Sequence, residues 1–422
     1  MERIRGINYI PVLNGSILNC ALRDDLMING KRLTFYTKDG IFRYKKSLIN
    51  PFHHQKIFEQ IKNKGLIDDD ELILADSGGL QEITLNEIRY SPEEVFQWQQ
   101  KFSNIGFSVD ALPFITPKDG TNRPGSFGGW KFDKTNFLEY AKKSKENIDV
   151  TKKYRDREKY PNFYFYGIIQ GRKYNEYLKW YEVIRDDVYL DGYCCKAPNI
   201  NPITLAETCI FAINNINKPV HFLGIGNISR AIVLYYAERH FSHPVTYDSS
   251  SYDIGTQFRS WLHPMMINRK LRLVSEKNLG EDSEVCNKDD IMTVEDLNRY
   301  CDCVACKSMK GMTGKMVDDN DPKLGSLISL HNLILNIKIN NYVQDLMKND
   351  AKQRCGCDKP LTNKVREFID YNFKPDTAKK IYNAFDMIDL SVTRGHDFAF
   401  NKYKDEMQVN KDAGEQKGIF DF

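Results

Sequence analysis

Four residues in the last third of the chain have the types and spacing of a metal site. Three thiols, Cys301, Cys303 and Cys306, lie within six residues, and His331 follows after 24 intervening residues. Thiolate and imidazole are the ligands that tetrahedral Zn²⁺ prefers, and four protein ligands leave no coordination position for water. The spacing therefore predicts one structural zinc ion per chain. The alternatives are three free cysteines beside a core histidine, or a ligand taken from the thiol pair at positions 355 and 357.

Polar side chains suited to catalysis follow four short apolar runs. Asp76 follows Leu72-Ile-Leu-Ala, Asp110 follows Phe107-Ser-Val, Gln170 and Gly171 follow Tyr164–Ile169, and Asp248 follows Pro244-Val-Thr-Tyr. Two facing carboxylates predict glycosyl chemistry, in which one attacks an anomeric carbon and the other moves a proton to and from the departing group. For any single aspartate, the alternative is a cap of the following helix. Four such positions together favour an active site.

The elements that must position these residues alternate between strand and helix from about residue 70 to residue 262. Strands are predicted at Glu71–Asp76, Phe107–Leu112, Phe163–Gln170, Val188–Cys195, Pro219–Gly224 and Pro244–Asp248. Apolar residues at helical spacing predict helices at Pro92–Ser103, Lys134–Tyr154, Tyr174–Asp187, Ile203–Ile216 and Ser229–His240. This alternation predicts βαβ units and a parallel sheet.

Two further strands, Asn8–Leu13 and Arg32–Tyr36, would bring the predicted number to eight. Eight strands over about 260 residues predict an α/β fold of the (β/α)₈ TIM-barrel type. Active sites of such barrels form at the carboxyl ends of the strands, which is where the polar residues above are expected. A doubly wound open sheet is the alternative on pattern alone.

The chain is predicted to have three parts. Residues 1–264 would form the barrel core, residues 265–348 a zinc-binding subdomain with a closing helix, and residues 349–422 a lysine-rich helical extension. The closing helix, Leu327–Leu346, would contain His331. The tail from about Lys402 has a composition typical of disorder. The glycine- and proline-rich segment Lys118–Trp130 is interpreted as either a mobile lid or a surface loop.

The composition is that of a soluble globular protein, with 41% hydrophobic and 28% charged residues. The net charge of +3 is too small to identify a nucleic-acid partner. No run of about 18 apolar residues is present, so no membrane partner is expected. The first residues lack the apolar run of a signal peptide. A reducing cytoplasm is therefore predicted for the ten cysteines, and there clustered thiols are interpreted as metal ligands rather than disulfides.

One glycine pair invites a different interpretation. Gly224-Ile-Gly226 begins like a dinucleotide-binding loop, but Ser229 stands at the third glycine position and no acidic residue ends the following strand at the right place. We therefore do not interpret this segment as a Rossmann motif.

Several motifs together resemble those of the tRNA-guanine transglycosylases. They are Asp76-Ser-Gly-Gly-Leu-Gln81, Gly167-Ile-Ile-Gln-Gly171, Asp191-Gly-Tyr193, Leu223-Gly-Ile-Gly226, Asp248-Ser-Ser-Ser-Tyr252 and the cysteine–histidine cluster. The resemblance covers about residues 70 to 345. It implies a (β/α)₈ barrel with a zinc-bearing insertion near its carboxyl-terminal end. It also implies an enzyme that exchanges guanine in a polynucleotide for a free 7-deazaguanine base.

The resemblance also implies roles for individual residues. Asp248 would be the nucleophile that attacks C1′ and forms a covalent glycosyl intermediate, and Asp76 would be the general acid/base. Asp110 would face the N1/N2 edge of the base. The remaining base-binding positions would be Gln170, Gly171, Leu223, Gly224 and Leu80. Displacement by one carboxylate and then by the new base retains the anomeric configuration.

The sequence departs from the family pattern around the base pocket and the polynucleotide path. Leu80 stands where an aromatic usually stacks on the base, and Lys196-Ala197 replaces a glycine pair. Other departures are Arg172, His221-Phe222 and Asn227. The chain looks more similar to the DNA-guanine transglycosylase branch of phages and bacterial DNA-modification clusters.

The resemblance therefore favours DNA over tRNA and a preQ0-like base. Basic candidates for phosphate contacts are Lys196, Arg172, Arg259 and Arg269. The expected compartment is the cytoplasm of a bacterium or of a phage-infected host cell. A homodimer is one of the oligomeric states compatible with the sequence.

Three alternatives stand beside this hypothesis. The same chemistry could act on tRNA with a queuine, preQ1 or archaeosine-type base. The chain could instead be a non-catalytic accessory subunit that binds nucleic acid, although the presence of both Asp76 and Asp248 argues against it. A sugar hydrolase also uses a barrel with two carboxylates, but that class does not explain the zinc cluster.

Overall fold

Eight parallel strands form a closed barrel in the computed structural model. The structure describes residues 7–13, 15–78, 90–115, 131–196, 201–250, 252, 262–267, 270–275, 301–308, 322–354 and 360–407. The barrel strands are β1 (Ile7–Leu13), β2 (Lys46–Ile49), β3 (Leu72–Ala75), β4 (Ile105–Phe107), β5 (Tyr164–Ile169), β6 (Gly192–Lys196), β7 (Val220–Leu223) and β8 (Val245–Ser249). Each strand pairs with its neighbours in sequence, and β8 pairs with β1 to close the barrel. The predicted (β/α)₈ fold is confirmed.

The described helices begin and end at the following residues. They are α1 (Gly15–Cys20), α2 (Pro51–Asn63), α3 (Pro92–Phe102), α4 (Phe137–Thr151), α5 (Tyr174–Ile184), α6 (Pro202–Asn215), α7 (Ile228–Ala237), α8 (Val304–Ser308), α9 (Pro322–Arg354), α10 (Asn363–Asn372), α11 (Pro375–Arg394) and α12 (His396–Lys402). Local sequence explains several starts: Ser91 and Glu94 form a reciprocal capping box at α3, and Asn201 caps α6. The five helices predicted between residues 92 and 240 are confirmed.

The predicted strand Arg32–Tyr36 is wrong. The backbone carbonyl groups of Arg32 and Phe35 accept hydrogen bonds from the amides of Ile41 and Tyr44, at 2.8 and 2.9 Å. The segment therefore folds back on the residues that follow it and cannot also pair with a barrel strand. Lys46–Ile49 takes the place in the barrel, between β1 and β3.

The seven other predicted runs each overlap a barrel strand, and the largest displacement is at β4. The predicted run Phe107–Leu112 shares only Phe107 with the observed strand Ile105–Phe107. At Ser108 a side chain joins the hydrogen bonds between β4 and β5. The Ser108 hydroxyl accepts from the Ile168 amide at 3.0 Å. The chain after β4 is thereby free to leave the sheet, and it bears Asp110.

The barrel interior is filled by apolar side chains from alternate residues of the strands. They are Ile10, Leu48, Leu72, Leu74, Ile105, Phe107, Tyr166, Ile168 and Cys194. Side chains two residues apart on a strand point to the same face. The residue two positions after each interior side chain is therefore expected on the interior face as well. At the carboxyl ends that continuation reaches Asn50, Asp76, Gln170 and Lys196. The apolar filling therefore gives way to polar groups at the end where barrel active sites form.

Helix α9 connects the carboxyl-terminal half to the barrel. It contains the predicted helix Leu327–Leu346 and continues to Arg354, past the predicted boundary at residue 348. The division into three parts remains a prediction. None of the described helices is long and apolar enough to cross a membrane.

Helix α11 packs against the outer faces of α6 and α7. The rings of Phe385 and Tyr236 stack with centroids 3.9 Å apart. Asp389 accepts hydrogen bonds from the Tyr236 hydroxyl at 2.6 Å, from Arg239 Nη2 at 2.9 Å and from Arg354 Nη2 at 3.2 Å. Only 14% of the Asp389 side chain is exposed. This carboxylate therefore joins α11, α9 and the barrel helices through buried charged groups.

We predict that Asp389→Ala lowers the free energy of unfolding by about 2–4 kcal/mol, because it leaves buried guanidinium groups without their partner. Asp386→Ala on the same helix is the matched control. Asp386 also accepts two hydrogen bonds, from Lys402 and Tyr403, but its side chain is 44% exposed. Its loss should cost less than about 1 kcal/mol. Urea denaturation measures the free energy of unfolding of both variants. Equal losses in the two would contradict a larger stabilising role for the buried Asp389 contact.

Candidate active site and metal cluster

Asp76 follows β3 and is held through both its backbone and its side chain. Gln99 on α3 donates from Nε2 to the carbonyl of Asp76 at 3.0 Å and to that of Phe107 at 2.9 Å. The Asp76 carboxylate accepts from Asn50 Nδ2 at 3.1 Å through Oδ2 and from the Ser77 amide at 2.8 Å through Oδ1. The position of this carboxylate is therefore set by the ends of β2, β3 and β4.

Asp110 and Gln170 meet, as their places at neighbouring strand ends predict. Gln170 Nε2 donates to Asp110 Oδ2 at 2.5 Å, and the Ser77 hydroxyl donates to Asp110 Oδ1 at 3.4 Å. Both Asp110 and Gln170 are buried. The next residue, Gly171, approaches α5 so closely that a Cβ there would lie 2.8 Å from the Tyr177 ring. Only glycine fits this position without a shift of the helix.

Asp248 lies within β8 and accepts two hydrogen bonds on one oxygen. Its Oδ1 accepts from the Gly224 amide at 2.9 Å and faces His221 Nε2 at 3.0 Å. Gly224 has a φ of +69°, a conformation that favours glycine, and a Cβ there would lie 3.1 Å from Lys196 Nζ. The end of β7 therefore supplies both partners of this carboxylate, and Lys196 lies beside the same turn.

Asp76, Asp110, Asp248 and Lys196 lie close enough for their charges to interact. Burial raises the pKa of Asp76 to about 6; the charges of Asp248 and Asp110 raise it as well, while the hydrogen bond from Ser77 lowers it. Burial also raises the pKa of Asp110, against the hydrogen bond from Gln170. Burial lowers the pKa of Lys196, and the nearby carboxylates oppose that shift. Asp76 can thus exist in either protonation state near neutral pH, as a general acid/base requires.

Other predicted site residues have the following places. Leu223 ends β7, is half-buried, and packs against the apolar filling of the barrel. The guanidinium of Arg172 lies 3.8 Å from the centroid of the Phe132 ring and 3.8 Å from a Glu176 carboxylate oxygen. Leu80, Arg259, Arg269, the segment Lys118–Trp130 and the thiols at 355 and 357 lie outside the described residues.

Sequence reasoning missed the residues that hold the carboxylates. Asn50 could have been found by extending the alternation of β2 by one step, had that strand been identified. Gln99 is fully buried on a helix, and nothing in its local sequence indicates that its amide faces the strand ends. His221 was noted only as a departure from a family pattern, although it contacts the predicted nucleophile.

The predicted metal ligands come together as a buried cluster. The ligand atoms of Cys301, Cys303, Cys306 and His331 all lie within 4.8 Å of one another. His331 Nδ1 lies 3.1, 3.5 and 3.7 Å from the three sulfur atoms. A tetrahedral ion with bonds of about 2.0 Å to nitrogen and about 2.3 Å to sulfur would separate these atoms by roughly 3.5 Å. The cluster therefore has the donor set and the dimensions of a metal site.

Comparison with known proteins supports the resemblance noted in the sequence. No family model matches the chain. Over 348 residues the chain is 23% identical to the tRNA-guanine(15) transglycosylase of Methanococcus aeolicus, a match that covers 78% of this chain. The chain is therefore similar to a tRNA-guanine transglycosylase over most of its length. It spans 46% of the length of that relative, so the activity of the whole relative does not transfer by similarity alone.

The raised pKa of Asp76 predicts a pH-dependent effect on the stability of the protein. Between its usual value of 3.8 and about 6, the folded protein binds more protons than the unfolded chain, so stability falls as pH rises through that window. Asp76→Asn cannot ionise, so it removes this fall in stability with pH. It should raise the free energy of unfolding by about 1–2 kcal/mol at pH 7.5 and leave it unchanged near pH 4.

Urea denaturation at several pH values tests this, with Asp397→Asn as the control because its side chain is 92% exposed. That control should follow the wild-type protein at every pH. An Asp76→Asn variant with the wild-type pH dependence would show that the carboxylate is not desolvated as the structure indicates.

Proposed function

We propose that this protein is a pentosyltransferase that exchanges guanine in a polynucleotide for a free 7-deazaguanine base. The observation that supports it most directly is that Asp76, Asp110 and Asp248 lie within interaction distance of one another at the carboxyl end of a closed barrel. Two of these carboxylates meet the two requirements of glycosyl transfer with retention, a nucleophile and a general acid/base.

The first half-reaction displaces guanine. Asp248 Oδ2 attacks C1′, the C1′–N9 bond breaks with its electron pair going to the base, and Asp76 protonates the departing guanine. An ester between Asp248 and C1′ results, and Asp76 is left as a carboxylate. Its pKa of about 6 makes proton donation feasible near neutral pH.

The second half-reaction inserts the new base. Asp76 takes the N9 proton of the incoming 7-deazaguanine, and N9 attacks C1′. The C1′–Oδ2 bond breaks, and its electron pair returns to the Asp248 carboxylate. Two displacements at C1′ retain the anomeric configuration and give ping-pong kinetics.

The base would bind between the ends of β4, β5 and β7. Among the described residues, Gln170 donates to one Asp110 oxygen and Ser77 to the other, and the same two oxygens would accept from the N1 and N2 hydrogens of the base. Gln170 and the Gly171 amide would face O6. The other proposed pocket residues are Leu223, Gly224 and Leu80.

We propose DNA as the polynucleotide and a preQ0-like base as the incoming substrate. The departures from the family pattern, among them Lys196 and Arg172, surround the proposed polynucleotide path. A target base inside a duplex would have to be flipped out, which costs a few kcal/mol. The name of the relative from Methanococcus aeolicus favours tRNA as the second candidate.

A labelled-base exchange assay separates these candidates. The protein is incubated with labelled guanine or preQ0 and with either DNA or bulk tRNA, and we expect label in DNA. Label only in tRNA would assign the second candidate. Binding to a polynucleotide without exchange into either would indicate the non-catalytic accessory subunit.

We predict that Asp248→Ala abolishes both exchange and the covalent protein–polynucleotide adduct seen on a denaturing gel, because it removes the attacking oxygen. Asp191→Asn is the control: Asp191 lies before β6 and binds Arg155, remote from the strand ends that bear the site. This variant should still form the adduct. An adduct that persists in Asp248→Ala would assign the nucleophile to another residue.

We further propose that the cysteine–histidine cluster binds one zinc ion with a structural role. Zinc would organise α8 against α9 and contribute ~10 kcal/mol to local folding. Cys303→Ser should lose the metal and lower the melting temperature and nucleic-acid binding together. Cys209→Ser, at a buried thiol on α6 outside the cluster, should keep its metal. Elemental analysis and thermal denaturation measure these outcomes. A stable, metal-free Cys303→Ser that fails only in the chemical step would contradict a structural role.

A further inference from the structure

His221 is a fully buried imidazole whose two ring nitrogens both have polar neighbours. Nε2 lies 3.0 Å from Asp248 Oδ1, and Nδ1 lies 2.7 Å from the Thr246 hydroxyl. His221 and Thr246 are register partners on the adjacent strands β7 and β8. The Phe107 ring packs against the imidazole with centroids 4.8 Å apart. The ring is thus held on its edge by hydrogen bonds and on its face by an aromatic contact.

We propose that His221 is a positioning residue that holds Asp248 Oδ1 so that the carboxylate attacks and departs through Oδ2. The proposal rests on the proposed transglycosylase function and names a residue on which that function depends. His221 itself need not touch the substrate.

The neighbours of the ring determine which nitrogen bears the hydrogen. A neutral imidazole has one donor and one acceptor nitrogen. With the hydrogen on Nδ1, the Nε2 lone pair would face a carboxylate oxygen, which is unfavourable. With the hydrogen on Nε2, the ring donates to Asp248, and Nδ1 accepts from the Thr246 hydroxyl. The Asp248 carboxylate therefore selects the tautomer with the hydrogen on Nε2, and the Thr246 hydroxyl supports that tautomer by donating to Nδ1.

Two donors then converge on one oxygen of the nucleophile. The Gly224 amide and His221 Nε2 both bind Oδ1, which orients the carboxylate plane and assigns attack to Oδ2. In the covalent intermediate Oδ1 becomes an ester carbonyl oxygen with less negative charge. Hydrogen bonds to a charged acceptor are stronger than those to a neutral one. The two donors therefore favour the free carboxylate over the ester.

This difference separates the two half-reactions. Loss of the His221 donor should slow overall exchange because the carboxylate is less well oriented. It should also raise the ratio of adduct formation to adduct release, because the departing carboxylate loses stabilisation. Loss of one hydrogen bond to a charged group predicts a change in that ratio of about tenfold. A general defect in folding would lower both rates together and leave the ratio unchanged.

Two pairs of variants test the proposal. His221→Phe removes the donor and keeps a ring in the buried site, whereas His221→Gln restores an amide donor. Thr246→Val removes the hydroxyl at nearly constant shape, and Thr246→Ser retains it. Rapid quench with denaturing gels gives adduct formation on the polynucleotide that supports wild-type exchange. Addition of excess preQ0 then gives release.

We expect His221→Phe to accumulate adduct and to raise the formation-to-release ratio about tenfold. His221→Gln should bring the ratio back towards wild type. Thr246→Val should shift the ratio in the same direction as His221→Phe, and Thr246→Ser should match wild type. Nitrogen NMR of labelled histidine should show a hydrogen on Nε2 of His221, and Thr246→Val should alter that signal. If His221→Phe does not fold, the Thr246 pair and the NMR spectrum provide the test.

A wild-type ratio in folded His221→Phe or in Thr246→Val, or a hydrogen on Nδ1 alone, would overturn the positioning role while leaving the proposed function intact. Absence of a wild-type adduct on both DNA and tRNA would overturn the proposed function, and the role of His221 with it.

Discussion

The desolvation of three carboxylates at one end of the barrel is the constraint on which the site depends. A buried carboxylate is stable only when hydrogen bonds replace the water it has lost. Asp76, Asp110 and Asp248 each accept hydrogen bonds from two neighbours, and most of those neighbours come from an adjacent strand end. Their orientation therefore originates in the geometry of the strand ends, and burial at the same place raises the pKa of Asp76 and of Asp110. The same low-dielectric environment gives Asp76 a pKa suited to proton transfer.

The parallel register of the barrel supplies these donors. In a closed parallel barrel, all strands end on the same side, so that polar residues distant in sequence become neighbours there. β7 places His221 opposite Thr246 of β8, and the turn after β7 places the Gly224 amide at the same carboxylate. A shift of β7 by one residue would exchange its two faces and remove His221 from the interior. The pairing of β7 with β8 thus both contributes to the closed barrel and places two hydrogen-bond partners at Asp248.

The sequence predicted what depends on local pattern. Strand–helix alternation indicated the barrel, ligand spacing indicated the metal cluster, and polar residues after apolar runs indicated the three aspartates. The prediction failed where two segments have a strand-like sequence and only one of them can be the second strand of the barrel. Residues 32–36 are as strand-like as Lys46–Ile49, and only the non-local pairing of β2 with β1 and β3 decides between them. The residues that hold the carboxylates were missed for the same reason, because a buried histidine or glutamine gives no local sign of the group it faces.

The cysteine–histidine cluster and Asp248, the proposed nucleophile, are connected through helix α9. Beside the cluster, Asn332 donates to the carbonyl of Tyr252 at 3.2 Å, a residue that follows β8. Two turns further on, Asn340 accepts from the hydroxyl of Tyr247, the residue before Asp248, at 2.5 Å. A shift of α9 would therefore disturb β8 on both sides of Asp248. An ion with four protein ligands has no position for water and cannot activate one, but by fixing α9 it would determine where Asp248 lies. The cluster would thus affect the reaction through the position of a strand and not through chemistry at the metal.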